Sequence, residues 1–105
     1  MKRLLDTSEV LGSVDHPAGK CEACASAVAT YDEASGKVEI QLDAFLRTVD
    51  LRAPERRLTA DWLPKGETVH ESAGPEEASA LARDIFHRWV RKVRQAAPQL
   101  HPPGF

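Results

Sequence analysis

Between Pro75 and Ala97 the apolar residues recur with the period of a helix. Leu81, Ile85, Trp89 and Val93 form a stripe at four-residue spacing, flanked by Ala78, Ala82, Phe86, Val90 and Ala97. Pro75 gives up an N–H that the first turn leaves unused, Glu76 and Glu77 beside it complement the positive end of the dipole, and Pro98 blocks continuation. The spacing therefore predicts a helix over about 75–97. A single two-faced helix cannot bury its own dry side, so the rest of the chain must supply a layer for it to lie on.

That layer reads as a sheet. Val38, Ile40 and Leu42 alternate with Lys37, Glu39, Gln41 and Asp43, the period of a strand with one dry and one wet face. Ser26–Asp32 has the same character, and the Glu33–Gly36 stretch between the two runs has the composition of a hairpin loop. A hairpin over about 26–43 follows. A competing reading makes the alanine-rich run Cys24–Ala34 a helix, because alanine has the best helix propensity. Residues 44–66 are ambiguous: Leu42, Phe45, Leu46 and Val49 sit at helical spacing, whereas Leu58–Trp62 fits a short strand, with Pro54 and Pro64 as punctuation. We read a helical or irregular turn, then a strand near 58–62, and another at Thr68–Glu71. The fold class is α+β: a small antiparallel sheet of three or four strands packed against one long C-terminal helix. A chain of 105 residues makes this one domain, 1–98, with 99–105 as an extended, mobile tail.

With 42% apolar and 29% charged residues the chain can form a core, and a net charge of −2 argues against coating nucleic acid over its whole surface. The start, MKRLLDTSEV, is basic, but Asp6, Thr7, Ser8 and Glu9 interrupt it before a signal-peptide core can form. No run approaches the roughly 20 apolar residues of a membrane helix. The expectation is a cytoplasmic protein with reduced cysteines, monomeric or homodimeric and without a membrane partner.

Both cysteines lie in Cys21-Glu-Ala-Cys24, shortly after His16. Two thiolates on one tight turn suit tetrahedral zinc, but a closed site needs four ligands. Cys21, Cys24 and His16 with a remote His70 or His87, or a four-cysteine site shared across a dimer, would make zinc the candidate cofactor. A redox pair needs a helix N-terminus after a strand, and here the pair leads into a strand instead. The third reading is two small, reduced, buried side chains.

Arg83, Arg88, Arg91, Lys92 and Arg94 against Asp84 leave the wet side of the predicted helix with a charge of about +4 in an otherwise acidic chain. Such a face suits an acidic protein segment, an anionic small ligand or a phosphate backbone; it also simply keeps a domain soluble. No aromatic residue interleaves with these positions on the wet side, which weakens single-strand nucleic-acid binding. Trp62 reads either as an interface anchor or as core. His70 beside Glu71, and His87 near Asp84, are acid/base-capable types without a recognisable triad. The leading expectation is thus a non-catalytic accessory protein that binds a protein or anionic partner through the basic helix face. A zinc or thiol module at Cys21 and Cys24 is the alternative, and a nucleic-acid-binding regulator the second. An enzyme is disfavoured because no converging polar constellation can be named.

Overall fold

The computed structural model describes residues 1–17, 19–49, 55–98 and 100. The described residues form a curled antiparallel sheet with a single helix against one face. β1 spans Lys2–His16, β2 Gly19–Asp32, β3 Lys37–Thr48, β4 Arg57–Leu58 and β5 Glu67–Ser72, and α1 spans Ala78–Ala96. The strand order is β1-β2-β3-β4, and β5 pairs with β3 beside β4. The expected hairpin is present and longer than read, because its two strands begin at Gly19 and end at Thr48. Five strands replace the expected three or four.

β2 is the centre of the sheet, and its sequence explains the helix position. Ala23, Ala25, Ala27 and Ala29 occupy every second position and are all 1% exposed or less. On a strand those positions share one face, so the helix meets a floor of methyl groups and can approach closely. Its own buried side is correspondingly large: Ile85, Phe86, Trp89, Val90 and Val93, with Ala78 and Ala82 nearest the start. Val38, Ile40, Leu42 and Leu46 of β3 and Val14 of β1 complete this face through their register with β2. Alanine at alternate positions thus overturns the helical reading of Cys24–Ala34: tertiary packing outweighs propensity. Leu81, expected at the centre of the dry stripe, is only half-buried.

The hairpin loop closes on Asp32. Its carbonyl accepts the Gly36 N–H at 2.8 Å and its carboxylate accepts the Ala34 N–H at 3.0 Å. Hydrogen bonds from the Ser35 side chain and the Ala34 amide hold the Asp32 carboxyl below its ordinary range. Gly36 stands at φ +70, in the left-handed region that glycine enters at no steric cost. Its carbonyl also accepts the Ala73 N–H at 3.0 Å, and the Tyr31 hydroxyl donates to the Ala73 carbonyl at 2.9 Å. The approach to the helix is therefore pinned to the end of the β2–β3 hairpin.

Two expectations for the middle of the chain are corrected. Phe45 and Leu46 lie on β3, not on a turn, and the short strand is Arg57–Leu58 rather than 58–62. Both are buried because each face of β3 is covered there: Leu46 lies under α1, and Phe45 on the opposite face lies beneath the Arg57 guanidinium, 4.0 Å from its ring centre. Strand β5 contains the expected Thr68–Glu71. The helix begins at Ala78, three residues after Pro75, because a turn in which the Glu77 and Ala78 amides both donate to Gly74 O precedes it. Of the tail, residues 99 and 101–105 lie outside the described residues, and Leu100 packs half-buried against the core.

Candidate functional site

The cysteine pair is divided by the strand that carries it. Cys21 and Cys24 both belong to β2, and residues three apart on a strand point to opposite faces. Cys21 joins the alanine face under the helix, whereas Cys24 lies on the other face between its cross-strand neighbours Val10 and Phe45. Both are free thiols, 0% and 1% exposed. Burial pushes each thiol above its ordinary pKa; at Cys24 the nearby Arg47 guanidinium opposes this in part. Each sulfur turns back on its own strand, Cys21 to the Gly19 carbonyl at 3.7 Å and Cys24 to the Glu22 carbonyl at 3.8 Å. His16 stands opposite Gly19 at the far end of β1. Among the described residues no three His, Cys, Asp or Glu side chains gather where they could hold a metal ion. The strand thus does not bring Cys21, Cys24 and His16 together as a half-site.

The histidine readings divide in the same way. His70 lies 4.0 Å from Glu39 across the β3–β5 ladder, while its sequence neighbour Glu71 points to the helix side. Trp62 is half-buried and packs against the core.

The basic residues of α1 are all exposed, but they form two groups. At about 100° per residue, Arg83, His87, Arg91 and Arg94 share an arc of about 80°, and Arg88 and Lys92 lie a further 60–100° round. The second group faces β5. Lys92 Nζ is 3.7 Å from Glu67 and 5.5 Å from the Trp89 ring centre, and Arg88 pairs with Asp84 at 3.3 Å. Between them runs a cleft of about 230 Å³, floored by Leu42, Val69, Ile85 and Trp89 and walled by Glu67 and Glu71 opposite Arg88 and Lys92. Here cation and carboxylate offset each other. This acidic wall was not legible in the sequence beyond the strand itself; the alternation of Glu67, Val69 and Glu71 was its one signal.

The first group has no such compensation. Among the described residues no carboxylate lies within 4 Å of Arg83, Arg91 or Arg94. His87 stands in line with them, its ring 6.3 Å from that of Phe86. The basic face of five residues read from the sequence is therefore a neutralised flank of two, Arg88 and Lys92, and an open stripe of three arginines with a histidine.

No described helix is long and apolar enough to cross a membrane. Comparisons with protein-family models, with curated proteins and with solved structures return no match.

Proposed function

We propose that this protein is a non-catalytic binding domain that takes an anionic segment of a partner protein on the open stripe Arg83, His87, Arg91 and Arg94. The observation that carries the reading is the set of three exposed guanidinium groups aligned on one helix flank with no carboxylate of the described residues in ion-pair reach, in a chain whose net charge is −2. Elsewhere on the same helix cations are balanced locally, so the imbalance belongs to one side. Guanidinium groups favour carboxylates because their planar fork gives two parallel hydrogen bonds. Protein is favoured over nucleic acid because Phe86 and Trp89 are buried, leaving no phenylalanine, tyrosine or tryptophan ring among these cations as a platform for successive bases.

The test uses a labelled ten-residue polyglutamate peptide and fluorescence anisotropy at low and moderate salt. Binding should weaken as salt rises, since exposed charges are screened within about 10 Å at 0.1 M. Charge reversal at Arg83, Arg91 and Arg94 together should abolish it, and reversal at Arg88 and Lys92 should leave it within about threefold, since those cations already have partners. Equal binding by the Arg83/Arg91/Arg94 reversal variant and the unaltered protein would overturn the reading.

A further inference from the structure

The cleft between α1 and β5 lies apart from the basic stripe and has a chemistry of its own. Glu67, Val69 and Glu71 are the cross-strand neighbours of Leu42, Ile40 and Val38, which are buried under the helix, so these three alternate residues of β5 face α1. They form one wall of the cleft, and Arg88 and Lys92 stand on the other. Val69 is only half-buried, an apolar side chain left partly open between two carboxylates.

The two ends of the cleft differ. Lys92 Nζ lies 3.7 Å from Glu67 and closes one of them. The helix begins shortly after β5 ends and reaches back to Glu67 at Lys92, so it runs antiparallel to that strand. Arg88, one turn or about 6 Å nearer the helix start, is therefore level with the middle of the β5 wall. Glu71, four residues or about 13 Å along the strand from Glu67, stands at the other end. Among the described residues no cation lies within 4 Å of Glu71. Arg88 gives one guanidinium nitrogen to Asp84 of its own helix and has further N–H groups to offer. That end thus presents an unpaired carboxylate and a guanidinium with spare donors on facing walls, over a floor of Leu42, Val69, Ile85 and Trp89.

We infer that this cleft binds a free α-amino acid with an aliphatic side chain of leucine's size. Its ammonium meets Glu71, its carboxylate takes the spare N–H groups of Arg88, and its side chain lies along Val69 and Ile85 toward the Glu67–Lys92 pair, which closes the far end. Opposite charges on facing walls suit a ligand that carries both charges on one carbon, because an amine or a carboxylic acid alone leaves one wall unanswered. Guanidinium and carboxylate groups both form strong charge-assisted hydrogen bonds to such a head group. Size points the same way: about 230 Å³ is room for about eight waters at about 30 Å³ each. That holds one aliphatic amino acid and falls below the roughly 300 Å³ at which sites for drug-sized ligands begin.

The experiment titrates the isotopically labelled full chain with L-leucine and follows its amide and indole resonances. Leucine should shift Val69, Glu71, Ile85 and the Trp89 indole, with a Kd of about 1 mM or below. Leucinamide lacks the carboxylate, 4-methylpentanoate the ammonium and glycine the side chain, and each should bind at least about tenfold more weakly. Glu71→Gln and Arg88→Gln should each weaken leucine binding at least about fivefold with melting unchanged, since both side chains are exposed. No shift on adding leucine up to about 10 mM, equal binding of leucine and either one-charge analogue, or unchanged affinity in both variants would overturn the site. Charge reversal at Arg83, Arg91 and Arg94, which removes the basic stripe, should leave leucine binding intact; its loss there would overturn placement in the cleft.

Discussion

The indole N–H of Trp89 donates to the main-chain carbonyl of Asp43 at 2.8 Å. That carbonyl belongs to β3 between the stretches paired with β4 and β5, so the helix closes a gap in the ladder that no strand of the described residues fills. Trp89 is 2% exposed and therefore serves both layers, filling the space over the alanine floor and bonding the sheet it covers. Trp89→Phe should keep most of the packing and lose the hydrogen bond, costing about 1–3 kcal/mol when the carbonyl is left unsatisfied. Trp89→Ala should cost about 3–5 kcal/mol. Urea denaturation with matched slopes measures both, and a Phe variant as unstable as the Ala variant would show that the indole bond, not volume, dominates.

The alanine floor makes an opposite prediction about size. Ala27 is 1% exposed and sits in one row with Leu42 and Thr7. Ala27→Leu should cost about 1–3 kcal/mol by overpacking, since the helix has to lift or its side chains leave their rotamers. The same substitution at exposed Ala34 should change stability by less than about 0.5 kcal/mol. Thermal melting of the two variants side by side decides it.

Gly36 closes the β2–β3 hairpin at φ +70 and also receives the Ala73 amide. Gly36→Ala should destabilise by about 1–2 kcal/mol, the cost of left-handed backbone for a residue with a Cβ. Gly36→Asn should recover part of that loss, because asparagine tolerates the region. Identical melting of Gly36→Ala and the unaltered protein would refute this account of the turn.

Both thiols have a pKa raised by burial, so the folded state holds its thiol protons to higher pH than the unfolded state does. Their contribution to stability is complete below the ordinary thiol pKa of about 8.5 and is lost as pH rises through the higher folded value. Melting temperature should therefore fall above about pH 8.5, and the fall should be shallower in a Cys21→Ala/Cys24→Ala protein. Thiol-specific labelling at neutral pH should be slow and limited by opening of the fold. Rapid labelling of either cysteine in the native protein would contradict its burial.

The parts of the fold legible in the sequence were those whose periodicity runs unbroken. The Lys37–Asp43 alternation and the Ile85, Trp89, Val93 stripe each keep one phase, and both stand where their pattern places them. β1 kept no phase: its two register shifts insert Leu4 and Leu11, so residues on one face change from odd to even positions and the alternation dissolves. Phe45 and Leu46 misled for another reason, since burial on both faces of β3 makes consecutive positions apolar and imitates a helix. The cysteines followed a spacing rule valid for turns, whereas a strand sends positions 21 and 24 to opposite sides. The basic residues of α1 were legible as a set. Their division into a neutralised flank and an open stripe depends on β5, whose Glu67 lies 25 positions from Lys92 in the sequence and 3.7 Å from it in space.

The alanine floor of β2 has a consequence for how this protein is made. During synthesis the five strands emerge before α1, so the methyl-lined face of the sheet must wait, uncovered, for the helix. Incomplete chains that expose apolar surface and strand edges are the species most prone to associate. Small side chains present less apolar area than leucine or valine at the same positions, so a floor of alanine keeps the nascent sheet less adhesive until the helix arrives to cover it.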